Sequence, residues 1–264
     1  MRLPQYKRQM DTGCIKTSVE KILPFRALFL QENNVQIRYN ACHERQWSDS
    51  YLLTLDSLAV GYGSVKGLEE LSERDAVFEF YVVPSYRKLA GALFTGLVRV
   101  SGAQFIECQS NDRLLNPLME QFAENIQADA ILFQDHITTE FQRPDLVFRK
   151  RKETDDVFKH TLEPVGDYVL EQGGAIVATG GFMLHYNPPF ADLYMEVRPD
   201  CRRQGMGSFL LQELKKACYL SGRVPAARCN IRNEASAATL KRAGFEEAGR
   251  MLRGTVRGEA LPTK

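Results

Sequence analysis

Apolar positions along the chain change period repeatedly, and the changes mark out two successive runs of strands and helices. Residues 15–30 carry Ile22, Phe25, Leu28 and Phe29 at helical spacing around Pro24, which predicts a helical region. A polar stretch with the single tryptophan, Trp47, follows. Tyr51–Asp56, Leu58–Val65 and Ala76–Val83 read as three strands, the first two joined by a tight turn. Pro84 ends the third. Helical spacing returns at Leu89, Leu93, Leu97 and Val100, and Gly102 stops it. Phe105–Ile106 predicts a strand, Leu114–Phe122 a helix and Ala130–Phe133 a further strand. Pro144 and the charge run behind it read as a linker or a solvated strand, which divides the chain into residues 1–140 and 141–264.

The second half repeats this order. Tyr168–Leu170 and Ala175–Leu184 predict a hairpin around Gly173-Gly174, and Leu193–Val197 the next strand, ended by Pro199 as Pro84 ended its counterpart. A helix with Met206, Leu210, Leu214 and Ala217 on one side stops at Ser221-Gly222. Ala226–Cys229 reads as a short strand, and Asn233 as the N-cap of a helix to Arg242 with Gly244 as its C′ glycine. Set side by side, FEFYVVPSYRKLAGALFTGLV and LYMEVRPDCRRQGMGSFLLQEL suggest an internal duplication. The fold expected is mixed α/β: two related lobes, each a mostly antiparallel twisted sheet flanked by helices.

Composition narrows the setting. Hydrophobic residues make up 44% and charged residues 25%, enough for a proper core. With 34 basic and 33 acidic residues the net charge is +1, so extended nucleic-acid or anionic-membrane binding is not expected, while a local phosphate site is. The six cysteines and four histidines show no CxxC pair or metal-ligand spacing, so reduced thiols and no metal are expected. MRLPQYKRQMDTG has no apolar core of a leader, and a cytoplasmic protein is the expectation; a homodimer is left open.

The chemistry concentrates in Phe190–Leu214. A strand, two arginines, the loop Gln204-Gly205-Met206-Gly207 and a helix start follow one another. Glycines let backbone amides approach an anion, and the first helical turn leaves its donors unpaired at the positive end of the dipole.

These residues resemble the GCN5-related N-acetyltransferase (GNAT) superfamily. Its V-x-P-x-x-[QR]-x-x-G-x-[GA] hallmark stands here as Val197, Pro199, Arg202, Gly205 and Gly207. Its downstream N-x-x-[AS]…G-F pattern stands as Asn233, Ser236, Gly244 and Phe245. The resemblance covers about 165–255 well and about 50–135 weakly, as a tandem arrangement with a degenerate N-terminal copy: Ala90 and Ala92 stand where Gly205 and Gly207 stand. It implies acetyl transfer from acetyl-CoA to a small-molecule or protein amine by direct attack, with no metal. The strand Met195, Glu196 and Val197 would pair with the pantetheine arm, and the loop Arg202, Arg203, Gln204, Gly205, Met206, Gly207 and Ser208 would receive the pyrophosphate. Asn233 and Ser236 would lie beside the pantetheine.

The chemical half is less specified. A tyrosine often found seven residues after the asparagine is replaced by Leu240, and a glutamate five before it by Arg228. Period-two alternation puts Asp192, Tyr194 and Glu196 on one strand face, with His185 and Tyr186 near in sequence. Glu196 and Asp192 are the candidate bases, Glu196 the first of them, and Tyr194 is a further catalytic candidate, although three neighbouring arginines also suit Glu196 as an ion-pair partner. Cys218 and Cys229 read as buried structural thiols. Between the first lobe and Tyr168 the chain is too short for a helical cover over the acceptor. The segment of His43, Glu44 and Trp47 either closes over the second lobe or packs locally. A non-catalytic acyl-CoA sensor is the competing function.

Overall fold

The computed structural model describes residues 11–33, 35–37, 39–161 and 164–258. The N-terminal stretch before Asp11, read above for a leader, lies outside them. The elements are β1 (Thr12–Thr17), α1 (Val19–Glu32), α2 (Tyr39–Glu44), β2 (Ser48–Leu55), β3 (Leu58–Lys66), β4 (Ala76–Val82), α3 (Ala90–Ser101), β5 (Phe105–Gln109), α4 (Leu115–Phe122) and β6 (Ala123–Asp135). They continue with β7 (Val147–Lys150), β8 (Tyr168–Gln172), β9 (Ala175–Met183), β10 (Phe190–Val197), α5 (Met206–Leu220), β11 (Val224–Asn230), α6 (Glu234–Arg242) and β12 (Phe245–Val256). The class is mixed α/β, as expected.

Two compact units form. The first takes its described residues from Met1–Val35, Cys42–Gln127 and Leu252–Lys264, the second from Gln36–Ala41 and Ala128–Met251. The sequence reading divides the chain at 140/141. The units divide instead inside β6, between Gln127 and Ala128, and the chain returns to the first unit inside β12.

In the first unit β1, β2, β3, β4 and β5 are neighbours in that order, all antiparallel except β4 with β5. Residues 12–17 are a strand and not the start of a helix. Their backbone pairs with β2 from Thr12↔Leu55 to Thr17↔Ser50, and helix begins only after Ser18. α3 buries Leu93, Phe94 and Leu97 against β2–β4. On the other sheet face Glu79 is fully buried and held by Arg26, Tyr62 and His43, with donor–acceptor distances of 2.8 to 3.3 Å. Burial raises the carboxyl pKa, but Arg26 and then His43 more than offset this and hold it at about 2.

In the second unit the order is β6 (from Ala128), β11, β10, β9, β8 and β7, all antiparallel except β10 with β11. Gly173 and Gly174 have φ of 58° and 83°, the two left-handed residues that a tight β8–β9 hairpin requires. α5 packs Leu210, Leu211 and Leu214 against Leu170, Ala178 and Leu193. Complete burial of a leucine stabilises by about 1.5–3 kcal/mol, so this face fixes the helix. Lys215, on the same helix, is buried yet fully engaged. It pairs with Asp135 and donates to the carbonyls of Ile137 (2.8 Å) and Ala243 (3.0 Å), tying α5 to the end of α6.

Candidate functional site

Strands β9, β10 and β11 and helices α5 and α6 of the second unit build the site. β10 and β11 pair only from Phe190↔Val224 to Asp192↔Ala226, so Leu193–Val197 lack a β11 partner and a wedge opens between the strands. β9 supports β10 through Val197 on the other side.

At the end of β10, Pro199–Cys201 form a single 3₁₀ turn, and a loop then turns the chain into α5. Arg203 and Gly205 have φ of 61° and 78°. The amides of Gly205, Met206, Gly207 and Ser208 donate to no acceptor among the described residues. A Cβ on Gly207 would come within 3.0 Å of Thr239 Cγ2 and 3.1 Å of Met195 Cε, so glycine lets α5, α6 and β10 approach there. Asn233 caps α6 as expected, its Oδ1 accepting from the Ser236 amide at 3.1 Å.

The arginines divide differently from their order in sequence. Arg202 Nε donates to the Val197 carbonyl (3.1 Å) and Arg198 Nε to Asp200 (2.7 Å). The guanidiniums nearest Gly205 are Arg143 and Arg242, each with a nitrogen 3.8 Å from where a Cβ would stand. Arg143 Nη1 also donates to the Gln204 carbonyl at 2.8 Å. With Phe141, Gln204, Gly205 and Ser208 these arginines line a cavity of about 190 Å³. Sequence reasoning missed both, because neither belongs to the loop that they flank.

β10 alternates as expected. Leu193, Met195 and Val197 turn to the α5 core. On the opposite face the Glu196 carboxylate accepts from the Thr161 amide (3.1 and 3.2 Å) and hydroxyl (2.9 Å). Both carboxylate oxygens of Glu196 are thus engaged by Thr161. His160 Nε2 lies 2.6 Å from Thr179 Oγ1, opposite Glu196 in the β9–β10 register. Residues 151–167 contain no helix among those described.

Tyr194 is half-buried, and burial, then Asp167, raise its pKa, so the phenol keeps its proton at neutral pH. His185 Nε2 stands 3.3 Å from Asp192 Oδ2, although it is not aligned for a hydrogen bond. Both side chains are largely buried, at 14% and 7% exposure. Asp192 is the last β10 residue paired with β11. Leu240 packs in the core, and burial pushes the Cys218 thiol up to about 11, an inert setting. His43 is turned into the first unit against Glu79, and Arg45 lies over Trp47 at 4.9 Å.

The first unit repeats the strand geometry without the loop. β4 and β5 pair only at Ala76↔Phe105 and Val77↔Ile106. Pro84–Leu89 is a 3₁₀ helix that runs directly into α3, with no left-handed residue on the way. Gly91, between Ala90 and Ala92, lies inside that helix.

A family model described as the acetyltransferase (GNAT) family matches residues 132–245. This segment is a GNAT domain. Solved structures share the GNAT fold over nearly the whole chain. A GNAT-family acetyltransferase from Colwellia psychrerythraea is 14% identical, with 94% of this chain and 100% of that one covered at a TM-score of 0.72. A tandem GNAT protein from the clavulanic acid biosynthesis pathway is 10% identical, covering 96% and 100% at 0.61. A GCN5-related N-acetyltransferase from Sphaerobacter thermophilus is 16% identical, covering 93% and 96% at 0.58. No curated protein matches. At such identities these structures establish the fold of the GNAT domain and of its companion unit, and leave substrates to the site. No described helix is long and apolar enough to cross a membrane.

Proposed function

We propose that the chain transfers an acetyl group from acetyl-CoA to an amine, and that only the GNAT domain binds the co-substrate. The observation that carries this reading is the run of open amides from Gly205 to Ser208 beside an unpaired strand edge. Those residues fit a CoA thioester. The loop Arg202, Arg203, Gln204, Gly205, Met206, Gly207 and Ser208 would hold the pyrophosphate through backbone donors. Met195, Glu196 and Val197 offer a strand edge to the amide-bearing pantetheine arm, and Asn233 and Ser236 border it. Acetyl-CoA when bound would supply the activated acetyl group. In the first unit the continuous 3₁₀–α3 helix leaves no such loop, which supports a scaffolding role for a degenerate copy.

The chain's own part in the chemistry is proton handling. Attack needs a neutral amine, and the proton acceptor proposed is His185, with the Asp192 carboxylate 3.3 Å from its Nε2. Tyr194 keeps its proton and is placed on the same face to supply one to the departing thiolate. Glu196, the first candidate from sequence, is engaged by Thr161 and serves better as an anchor for residues 151–161.

Thiol release from acetyl-CoA, followed across a panel of small amines and lysine peptides, tests the activity. Amine-stimulated release supports transfer. Tight CoA binding with no stimulated release across the panel would favour an acyl-CoA sensor.

A further inference from the structure

Arg143 and Arg242 converge on Gly205 from outside the glycine loop, one from the segment before β7 and the other from the last turn of α6. A guanidinium has five N–H bonds. Arg143 gives two of them to Asp145 and one to Gln204, which fixes its plane and leaves two unspent. Arg242 has no carboxylate or hydrogen-bond partner among the described residues, and its guanidinium lies over Phe141 at 5.7 Å. Two cations, each with a nitrogen 3.8 Å from where a Cβ on Gly205 would stand, one of them pinned and the other uncommitted, bound the cavity of about 190 Å³ that opens beside the loop. The cost of bringing like charges together is offset when an anion joins them.

We infer that Arg143 and Arg242 form a second anion subsite, for the 3′-phosphate on the ribose of CoA. This inference rests on the acyl-CoA reading and adds the recognition of the nucleotide end. The two kinds of phosphate in CoA call for different donors. Each pyrophosphate group carries a single charge and suits neutral backbone amides at a helix start. A phosphate monoester carries between one and two charges at neutral pH and presents three acceptor oxygens, which suits paired guanidiniums. Phe141 gives the cavity an apolar wall next to those cations. Arg143 is mainly a positioning residue, since its contact with Gln204 also shapes the loop. Arg242 is the discriminating one.

Calorimetric titration of the full chain with CoA and with 3′-dephospho-CoA tests the subsite. The expected result is a dephospho-CoA Kd about 10- to 100-fold weaker, the range of a lost charge-assisted contact. R242Q should weaken CoA by a similar factor, leave dephospho-CoA unchanged and so collapse the ratio, while R242K restores part of it. An unchanged thermal midpoint for R242Q shows that the exposed substitution leaves the fold intact. Equal affinity of the wild type for both ligands, or an R242Q ratio equal to the wild type's, overturns the subsite and leaves the acyl-CoA reading standing. Binding of neither ligand overturns both.

Discussion

Thr161 gives its amide and its hydroxyl to one carboxylate, that of Glu196, across 35 residues of sequence. That contact ties the described, non-helical residues 151–161 to β10 and makes Glu196 a structural anion. Glu196→Gln is therefore expected to keep the pH dependence of amine-stimulated thiol release and to lose hydrogen-exchange protection in residues 151–161. A pH–rate profile flattened by this substitution would return Glu196 to the role of base.

His185 and Asp192 carry the opposite expectation. His185→Gln should lower kcat by about 10²–10⁴-fold, the usual range for a general base, with little change in KM for acetyl-CoA. Asp192→Asn should lower it less, because the carboxylate 3.3 Å from His185 Nε2 acts through the imidazole. Full activity in both variants would remove the pair from the mechanism.

Gly205→Ala and Gly207→Ala separate two demands on the loop. At Gly205 the left-handed φ of 78° costs an L-residue about 1–2 kcal/mol, and the amide run should be misaimed. At Gly207 a methyl group meets Thr239 and Met195 at 3.0 and 3.1 Å, so the α5–β10 spacing must widen. Both should weaken acetyl-CoA by about tenfold or more in a titration, as lost backbone donors would. Affinity unchanged in both would contradict the loop's role.

Glu79 governs the acid stability of the first unit. Its pKa falls from an ordinary 4.5 to about 2 in the fold, so its stabilising effect is complete above pH 4.5 and is lost as pH drops towards 2. Glu79→Gln removes the buried carboxylate that Arg26 is paired with and should cost about 3–5 kcal/mol in denaturant unfolding. The variant should also flatten the loss of stability between those pH values. A loss under 1 kcal/mol would show that the Arg26–Glu79 pair contributes little to the stability of the first unit.

Local backbone demands were legible in the sequence. Gly205, Gly244 and the Gly173-Gly174 turn need left-handed φ, Asn233 needs a helix amide, and each does in the fold what its surroundings imply. The Asp192, Tyr194 and Glu196 face followed from strand alternation alone. Partners distant in sequence were not legible. Adjacency set Glu196 among arginines, yet Arg198 turns to Asp200, and Thr161 takes the carboxylate. Arg143 and Arg242 carry no motif, and only folding brings them to Gly205. β12 was missed because charges with Gly249 and Gly254 break its alternation, and β1 because its short alternating run adjoins a helical pattern.

The most direct measurement is the stoichiometry of acetyl-CoA binding to the full chain by calorimetry. The glycine loop of the GNAT domain and the closed 3₁₀–α3 junction of the first unit predict one site per chain, abolished or much weakened by Gly205→Ala. Two sites per chain would contradict the assignment of the first unit as a scaffold. No binding at all would contradict the acyl-CoA site itself.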